Sequence, residues 1–174
     1  MAENYDYNWK IVVGGPSGVG KTCFLHRYIF REFVKDTKPT IGCQFHTQVL
    51  KRNKKKIKMD LWDLGGHFKE AKQHSCVTPP FNAAFLLFDL SDKQTLENLR
   101  KEWISQIKEG SPATMPIVLV GTKMDIVNKE QLAKMETMAQ AFVKENKLMA
   151  FKATSSKLGV KVDETITDMV NMLV

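Results

Sequence analysis

The eight residues GPSGVGKT, at positions 15–22, constrain the fold of this chain more than any other feature, because they join two segments of different periodicity. Residues 9–15 form a short apolar, β-branched run that ends in glycine, which predicts a buried strand. Residues 21–33 repeat apolar side chains at helical spacing. A strand that turns through glycines directly into an amphipathic helix favours an α/β fold.

This connection also matches the pattern GxxxxGK[ST], whose residue types suit the binding of phosphate groups. Its glycines let successive backbone N–H groups turn inward and form an anion nest at a helix N-terminus. The Lys21 ammonium can approach the β- and γ-phosphates, and the Thr22 hydroxyl can ligate magnesium. The alternative is a glycine-rich turn without a ligand, which the position between strand and helix disfavours. The predicted nucleotide-binding residues here are Gly15, Ser17, Gly18, Val19, Gly20, Lys21, Thr22 and Cys23.

The remaining apolar patterns predict an alternation of strands and helices. Strands are predicted over residues 9–15, 44–50, 56–63, 83–90, 116–121 and 148–154, and helices over 21–33, 92–110, 129–146 and 162–174. This order predicts an α/β fold with a doubly wound, six-stranded, mostly parallel sheet, one antiparallel edge hairpin and helices on both faces. The predicted organisation is a short N-terminal extension at residues 1–8 and one domain over residues 9–174.

Composition excludes several classes of protein. No apolar run approaches the roughly 20 residues of a membrane span, and the N-terminus lacks the layout of a signal peptide. The three cysteines, Cys23, Cys43 and Cys76, form no CxxC pair, so neither a disulfide framework nor a zinc site is expected. We therefore expect a cytoplasmic protein.

The net charge of +7 is partly local, because residues 51–58 (KRNKKKIK) hold six of the 26 lysines and arginines. Such a block can bind acidic lipid, nucleic acid or an acidic partner. It can also be a solvated hairpin turn whose lysines discourage pairing between sheet edges. We favour the second interpretation and expect no nucleic-acid partner, because no interleaved aromatic residues accompany the charges.

The segment GTKMD, at residues 121–125, follows a predicted strand and contains a side chain that can discriminate guanine from adenine. The Asp125 carboxylate can accept two N–H groups from guanine, whereas adenine would leave it poorly paired, at a cost of about 1–3 kcal/mol. After the last strand comes TSSK, where a backbone N–H could reach the guanine oxygen and Lys157 could lie along the base. The predicted base-binding residues are Thr122, Lys123, Asp125, Ser155, Ser156 and Lys157.

In order, the segments GPSGVGKT, PTIGCQF, WDLGGH, GTKMD and TSSK make residues 9–174 resemble a small GTPase of the Ras superfamily. The SGVGK loop and IGCQF are most similar to the Rab branch. Residues 68–81 fit Rab sequences poorly and are about three residues longer, so the Roc-type GTPase modules of larger proteins are a competing relative. The resemblance implies a P-loop NTPase G domain that binds GTP and GDP with Mg²⁺.

The resemblance also assigns roles outside the phosphate loop. Thr40 would ligate magnesium with Thr22 and respond to the γ-phosphate, and Asp63 would hold magnesium through water. The Gly66 amide would donate to the γ-phosphate, and Phe33 would pack over the guanine. Alternatively, Thr40 and Asp63 are turn residues and Phe33 is a core residue at a helix end. Effectors, exchange factors and GTPase-activating proteins would contact Ile41, Phe45, Trp62 and switch II, which is the loop that follows the WD motif.

His67 occupies the position of the glutamine that orients the attacking water in this family. A neutral imidazole can donate and accept, but through two nitrogens that point in different directions. We therefore expect slow intrinsic hydrolysis, with His67, Gly66 and Lys21 as the catalytic residues. The alternative is that His67 is a surface residue without a catalytic part. A molecular switch and a hydrolysis-deficient binding module, which could belong to a longer chain, are the two competing functions.

Other differences from the usual motifs of this family affect the expected affinity for guanine nucleotide and the expected location of the protein. Thr122 replaces the usual asparagine and Ser156 the usual alanine, which leaves guanine binding plausible but weaker. The neighbouring Gly65 should make switch II more permissive. The chain has neither a CaaX box nor a myristoylation glycine, so a truncated tail, a longer chain or a partner protein would have to explain attachment to endomembranes. We expect a monomer.

Overall fold

A computed structural model of the chain describes residues 3–67, 69 and 78–174, and places six strands in one sheet of order β2-β3-β1-β4-β5-β6. Strand β2 pairs antiparallel with β3, and the other neighbouring pairs are parallel. The predicted doubly wound sheet with one antiparallel edge hairpin is therefore confirmed. The strands are β1 Tyr7–Gly14, β2 Cys43–Arg52, β3 Lys55–Leu64, β4 Ala83–Asp89, β5 Ile117–Thr122 and β6 Ala150–Ala153.

Helices cover both faces of this sheet. They are α1 Lys21–Phe30, α2 Lys93–Asn98, α3 Ile104–Lys108, α4 Lys129–Asn146 and α5 Val162–Leu173, with a π-helical turn at Leu99–Trp103 and a 3₁₀ turn at Met124–Ile126. Helix α4 has the predicted bounds because its start carries a capping box, in which Asn128 and Gln131 exchange side-chain-to-backbone hydrogen bonds. Helix α1 ends three residues before the predicted end, because Arg31 adopts a left-handed conformation with φ of 62°.

The core lies in two layers, one on each face of the sheet. Every residue of β4 and β5 is buried, as their continuous apolar runs predict for central parallel strands. One layer packs α2, α3 and α4 against the sheet around Trp103 and Phe142. The other packs α1 and α5 around Phe24 and Ile166. The C-terminal ends of the central parallel strands remain open between the layers, where α/β sheets of this kind bind ligands.

Two further predictions, the start of the first strand and the continuity of the second helix, differ from the structure. Strand β1 begins at Tyr7, so the last two residues of the predicted extension lie in the sheet, where Tyr7 pairs with Ile57 and its ring stacks on Trp9 at 5.3 Å. The helix predicted over residues 92–110 is interrupted by the π-helical turn. That turn brings the Trp103 ring onto Gly14, where a Cβ would lie 2.6 Å from the ring carbon Cζ3.

Candidate nucleotide-binding site

A cleft of about 640 Å³ opens at the ends of the central strands. It brings together most of the residues predicted from sequence, although they come from five separate segments. Its lining comprises Ser17, Gly18, Val19, Gly20, Lys21, Thr22, Cys23, Phe33, Lys35, Thr37, Lys38, Pro39, Thr40, Gly66, Thr122, Lys123, Asp125, Ile126, Ser156 and Lys157. The cationic side chains of Lys35 and Lys38 were not among the predicted residues. Gly15, Asp63, Ser155 and His67 were predicted but do not line the cleft directly.

The loop between β1 and α1 folds around the Lys21 ammonium. Lys21 Nζ donates to the carbonyl oxygens of Gly15 at 2.7 Å and Pro16 at 2.9 Å. Gly15 has φ of 145°, and a Cβ there would lie 2.2 Å from the Leu87 carbonyl oxygen, so only glycine fits. The close packing of this loop on β4 sets its position at the N-terminus of α1, where backbone N–H groups favour an anion.

Burial makes the charge on Lys21 costly in the absence of a ligand. Its side chain is only 6% exposed, and desolvation lowers its pKa from 10.5 to about 8, while the Asp63 carboxylate acts in the opposite direction. An anion bound in the cleft would stabilise the ammonium and raise this pKa again. The site is therefore electrostatically suited to phosphate.

The predicted magnesium ligands lie together at the N-terminus of α1. Thr22 Oγ1 donates to Asp63 Oδ2 at 2.6 Å and lies 3.1 Å from Thr40 Oγ1. The other carboxylate oxygen, Asp63 Oδ1, is buried and has no hydrogen-bond partner among the described residues. Burial raises the pKa of Asp63 although the Thr22 bond and Lys21 oppose it. An unpaired buried oxygen beside two hydroxyls is a donor set that fits Mg²⁺, which prefers oxygen ligands and retains several waters.

At the other end of the cleft, Asp125 is held by a neighbouring loop. Ser155 Oγ donates to Asp125 Oδ1 at 2.7 Å, and the Ser155 hydroxyl also accepts from Leu158 N–H at 3.1 Å. The Ser155 N–H donates to the Val160 carbonyl oxygen, so this amide is engaged within the loop. Ser155 therefore orients the predicted base-binding carboxylate, and Ser156 and Lys157 line the cleft beside it.

Thr122 connects the phosphate end and the base end of the cleft. Its side chain is buried, and its hydroxyl lies 2.6 Å from the Val19 carbonyl oxygen and 3.0 Å from that of Phe88. The hydroxyl can thus donate to the phosphate loop directly from the end of β5. This contact gives the threonine a supporting role in the site that its position in GTKMD did not reveal.

Lys123 makes a second connection between the same parts. Its Nζ donates to the Gly18 carbonyl oxygen at 2.9 Å and forms an ion pair with Asp89 Oδ2 at 2.6 Å. Asp89 is the last residue of β4, so the lysine links two strand ends to the phosphate loop. The phosphate loop is therefore fixed from β4 by packing and from β5 by two side chains.

Glycines bring the loops after β3 and before β2 against the phosphate loop. Gly65 N–H donates to the Gly42 carbonyl oxygen at 2.8 Å. A Cβ at Gly65 would lie 2.7 Å from the Thr40 carbonyl oxygen, and one at Gly66 would lie 2.6 Å from the Ser17 backbone nitrogen. Gly65, predicted to make switch II permissive, is thus also required for close contact between the two loops.

Comparison with known proteins decides the family to which this site belongs. The Ras family matches residues 10–174. The chain belongs to the Ras family. It is 31% identical to GTP-binding protein ypt4 of Schizosaccharomyces pombe, over 99% of this chain and 74% of that protein. It is also 30% identical to Ras-related protein Rab-4B of Homo sapiens (94% and 75%) and 33% identical to GTP-binding protein ypt3 of Schizosaccharomyces pombe (93% and 74%).

These relatives confirm the predicted position of this Ras-family chain as a small GTPase of the Rab branch. The residues on which the Roc alternative depended, 68–81, lie largely outside those the structure describes. His67 is described and exposed, with its side chain outside the cleft lining, whereas the adjacent Gly66 is part of that lining.

The predicted partner surface of this Ras-family chain includes an aromatic pair, in which Phe45 is exposed and Trp62 is half-buried. The Phe45 and Trp62 rings stack at 5.1 Å with 24° between their planes, and Phe45 is 58% exposed. Ile41 is 87% exposed at the start of the same surface. Lys10 Nζ lies 5.6 Å from the Trp62 ring and donates to the Thr78 carbonyl oxygen, so this surface is linked to the backbone ahead of β4. None of the helices within the described ranges is long and apolar enough to cross a membrane.

Sequence reasoning missed Arg27, the side chain that holds the base-binding loop from outside the cleft. Its guanidinium donates to the carbonyl oxygens of Ser156 and Lys157. An arginine in the last turn of a helix carries no local signal for such a contact, since its partners are about 130 residues away along the chain.

Proposed function

We propose that this chain is a Rab-like molecular switch that binds GTP or GDP with Mg²⁺ and hydrolyses GTP slowly. The observation that carries this proposal is the contact among Thr22, Thr40 and Asp63. These three possible cation ligands come from the phosphate loop, from the loop before β2 (switch I) and from β3. A ligand that contacts all three would order both switch loops together.

In the proposed reaction, the chain itself supplies binding, orientation and charge. The phosphate-loop N–H groups and Lys21 would stabilise the β- and γ-phosphate oxygens, and the Gly66 N–H would donate to the γ-phosphate. Bound Mg²⁺, held by Thr22, Thr40 and, through water, Asp63, would neutralise charge on the phosphate oxygens. His67 would orient the attacking water only when its loop brings the imidazole over the cleft, and for this reason we expect a slow rate.

The cellular role follows from the family relationship. We infer that the chain acts in membrane traffic or signalling as a monomer in the cytoplasm, peripherally at endomembranes. Effectors, exchange factors and GTPase-activating proteins would contact Ile41, Phe45, Trp62 and switch II, whose shape would depend on the bound nucleotide. Slow hydrolysis would keep such a surface in its GTP form until an activating protein supplies the missing catalytic group.

A second candidate function is a guanine-nucleotide-binding interaction module without useful hydrolysis. The exposed position of His67 outside the cleft favours it, because no described side chain of switch II then reaches the nucleotide. In that case the nucleotide would be a structural ligand and partners would bind constantly.

Single-turnover GTP hydrolysis with Mg²⁺ tests both functions. The wild type, His67→Gln and His26→Gln would be loaded with GTP, with the retained nucleotide identified by chromatography. We expect a slow wild type, an increase of at least about tenfold in His67→Gln, equivalent to about 1.4 kcal/mol of activation free energy, and no change in His26→Gln. His26 is the control because it lies on α1 outside the cleft.

If neither the wild type nor His67→Gln hydrolyses GTP, the interaction module is the correct function. If no guanine nucleotide is retained by the wild type, both functions are wrong.

A further inference from the structure

Arg27 joins helix α1 to the loop that follows β6. Its Nε donates to the Ser156 carbonyl oxygen at 2.6 Å, and its Nη2 donates to the Lys157 carbonyl oxygen at 2.6 Å. The third nitrogen, Nη1, donates to the Arg31 carbonyl oxygen at the C-terminus of α1, at 3.2 Å. All three nitrogens are therefore used, and two of them bind successive carbonyls of one loop.

This contact has the geometry that distinguishes arginine from other cations. The guanidinium is planar and presents its donors in a fixed fork, so it can bind two neighbouring acceptors at once with little loss of freedom. Hydrogen bonds from a charged donor are also about twice as strong as neutral ones. A lysine at the same position could reach only one of the two carbonyls at a time.

Fixing two successive carbonyl oxygens fixes two peptide planes. Because a peptide unit is planar, the orientation of a carbonyl determines the direction of the following N–H. The two planes lie between Ser156 and Leu158, and Ser156 and Lys157 line the base end of the cleft. The same loop is tied to Asp125 through the Ser155 hydroxyl, so its orientation sets both the backbone and the carboxylate that would face a base.

The helix that carries Arg27 also carries the phosphate-binding residues. Helix α1 begins at Lys21 and Thr22, and Arg27 lies more than one turn further along, outside the cleft lining. One rigid element thus contacts the phosphate end directly and the base end through a single side chain.

We propose that Arg27 is a positioning residue for base recognition, which holds the Ser156–Lys157 backbone in its binding orientation and so slows release of the nucleotide. This inference rests on the proposed guanine-nucleotide site. The base is common to GDP and GTP, so loss of the contact would speed release of both to the same extent. The chemistry at the γ-phosphate would not change, because Arg27 touches no group there.

The test compares the dissociation of fluorescent GDP and GTP from the wild type, Arg27→Gln, Arg27→Lys and Arg31→Gln. The Arg31 variant is the matched control, because it removes the same charge from the same end of α1. Among the residues that the structure describes, the Arg31 side chain pairs only with exposed Asp163 and the Tyr28 ring. We expect at least tenfold faster release of both nucleotides from Arg27→Gln, an intermediate increase in Arg27→Lys, and a change of less than twofold in Arg31→Gln. With each protein in saturating excess over GTP, so that released nucleotide rebinds, the single-turnover hydrolysis rate should match the wild type in all three variants.

Wild-type release rates in Arg27→Gln would overturn the inference. A parallel loss of the hydrolysis rate would overturn it as well, because that result would mean that Arg27 supports α1 and the phosphate loop as a whole. Failure of the wild type to bind GDP would instead refute the proposed function.

Discussion

Two buried charged residues, Lys21 and Asp63, dominate the electrostatics of the cleft at the scale of single residues. Burial lowers the pKa of the lysine to about 8 and raises that of the carboxyl, so burial makes the charged form of each group less favourable. Nucleotide phosphates and Mg²⁺ are the ligands that would reverse both shifts. The site is thus destabilising when empty, and ligand binding contributes to the stability of the fold.

We predict that the nucleotide-free, magnesium-free protein becomes more stable as the pH rises from about 8 towards 10.5. The pKa of Lys21 is about 8 in the folded chain and 10.5 without burial, so the unfolded chain binds more protons in this range and the free energy of unfolding increases with pH. The full effect is on the order of 3 kcal/mol. Urea denaturation between pH 7.5 and 10.5 measures it, with Lys21→Met as the control that lacks this slope.

Thr122→Val should destabilise the protein and loosen the phosphate loop. Valine keeps the shape of threonine but removes the hydroxyl near the buried Val19 and Phe88 carbonyls, at a cost of about 1–3 kcal/mol. Urea denaturation gives the stability change and GDP dissociation gives the functional change. Thr122→Ser retains the hydroxyl and should remain near the wild type, and equal stability of the valine and serine variants would contradict this explanation.

At the scale of elements, the strands were the easiest part to predict. Strands β4 and β5 are apolar throughout because both faces are covered, and α4 has its own capping residues, so local sequence is sufficient for each. The start of β1 and the interruption before α3 depend instead on distant partners. The sequence around Tyr7 does not show that β3 is long enough to pair with it. Likewise, the sequence around Trp103 does not show that its ring packs against Gly14 of β1.

Gly14→Ala tests the packing of the π-helical turn against β1. The added Cβ would lie 2.6–2.7 Å from two carbons of the Trp103 ring, and such overpacking costs about 1–3 kcal/mol. Urea denaturation measures the loss. A smaller ring partner should relieve the clash, so Gly14→Ala combined with Trp103→Leu should lose less than the sum of the two single changes. Additive losses would show that the ring is not the cause.

At the scale of the whole molecule, the residues that line the cleft were easier to predict from sequence than the residues that hold them in position. The phosphate loop, Thr40, Asp63 and Asp125 each lie in a short motif, and the fold brings these motifs to one edge of the sheet. The supporting contact of Arg27 could not be predicted, because it joins residues far apart in sequence and has no local pattern. Motifs specify what touches a ligand, and tertiary packing determines what holds those residues in place.

Removal of Mg²⁺ should weaken nucleotide binding and lower the stability of the GDP-bound protein. A chelator added to GDP-bound wild type is expected to speed GDP release and lower the thermal midpoint, since a ligand at 100 times its Kd adds about 2.7 kcal/mol of stability. Asp63→Asn should abolish this response to the chelator while leaving the nucleotide-free protein at least as stable, because it removes a buried charge. Thermal unfolding with and without Mg²⁺ measures both effects. An unchanged chelator response in the variant would exclude Asp63 from the metal site.

The hydrogen bond from Gly65 to Gly42 extends the β2–β3 ladder one step beyond its last pair, Cys43 and Leu64. The loops before β2 and after β3 therefore continue the end of the sheet. We expect that separating these loops breaks the hydrogen bond between Gly65 and Gly42 first. Loss of the γ-phosphate contacts would open the β2–β3 pairing from this end. The hydrogen-exchange rate of the Gly65 amide proton would then report whether the protein is in its GTP-bound or its GDP-bound form.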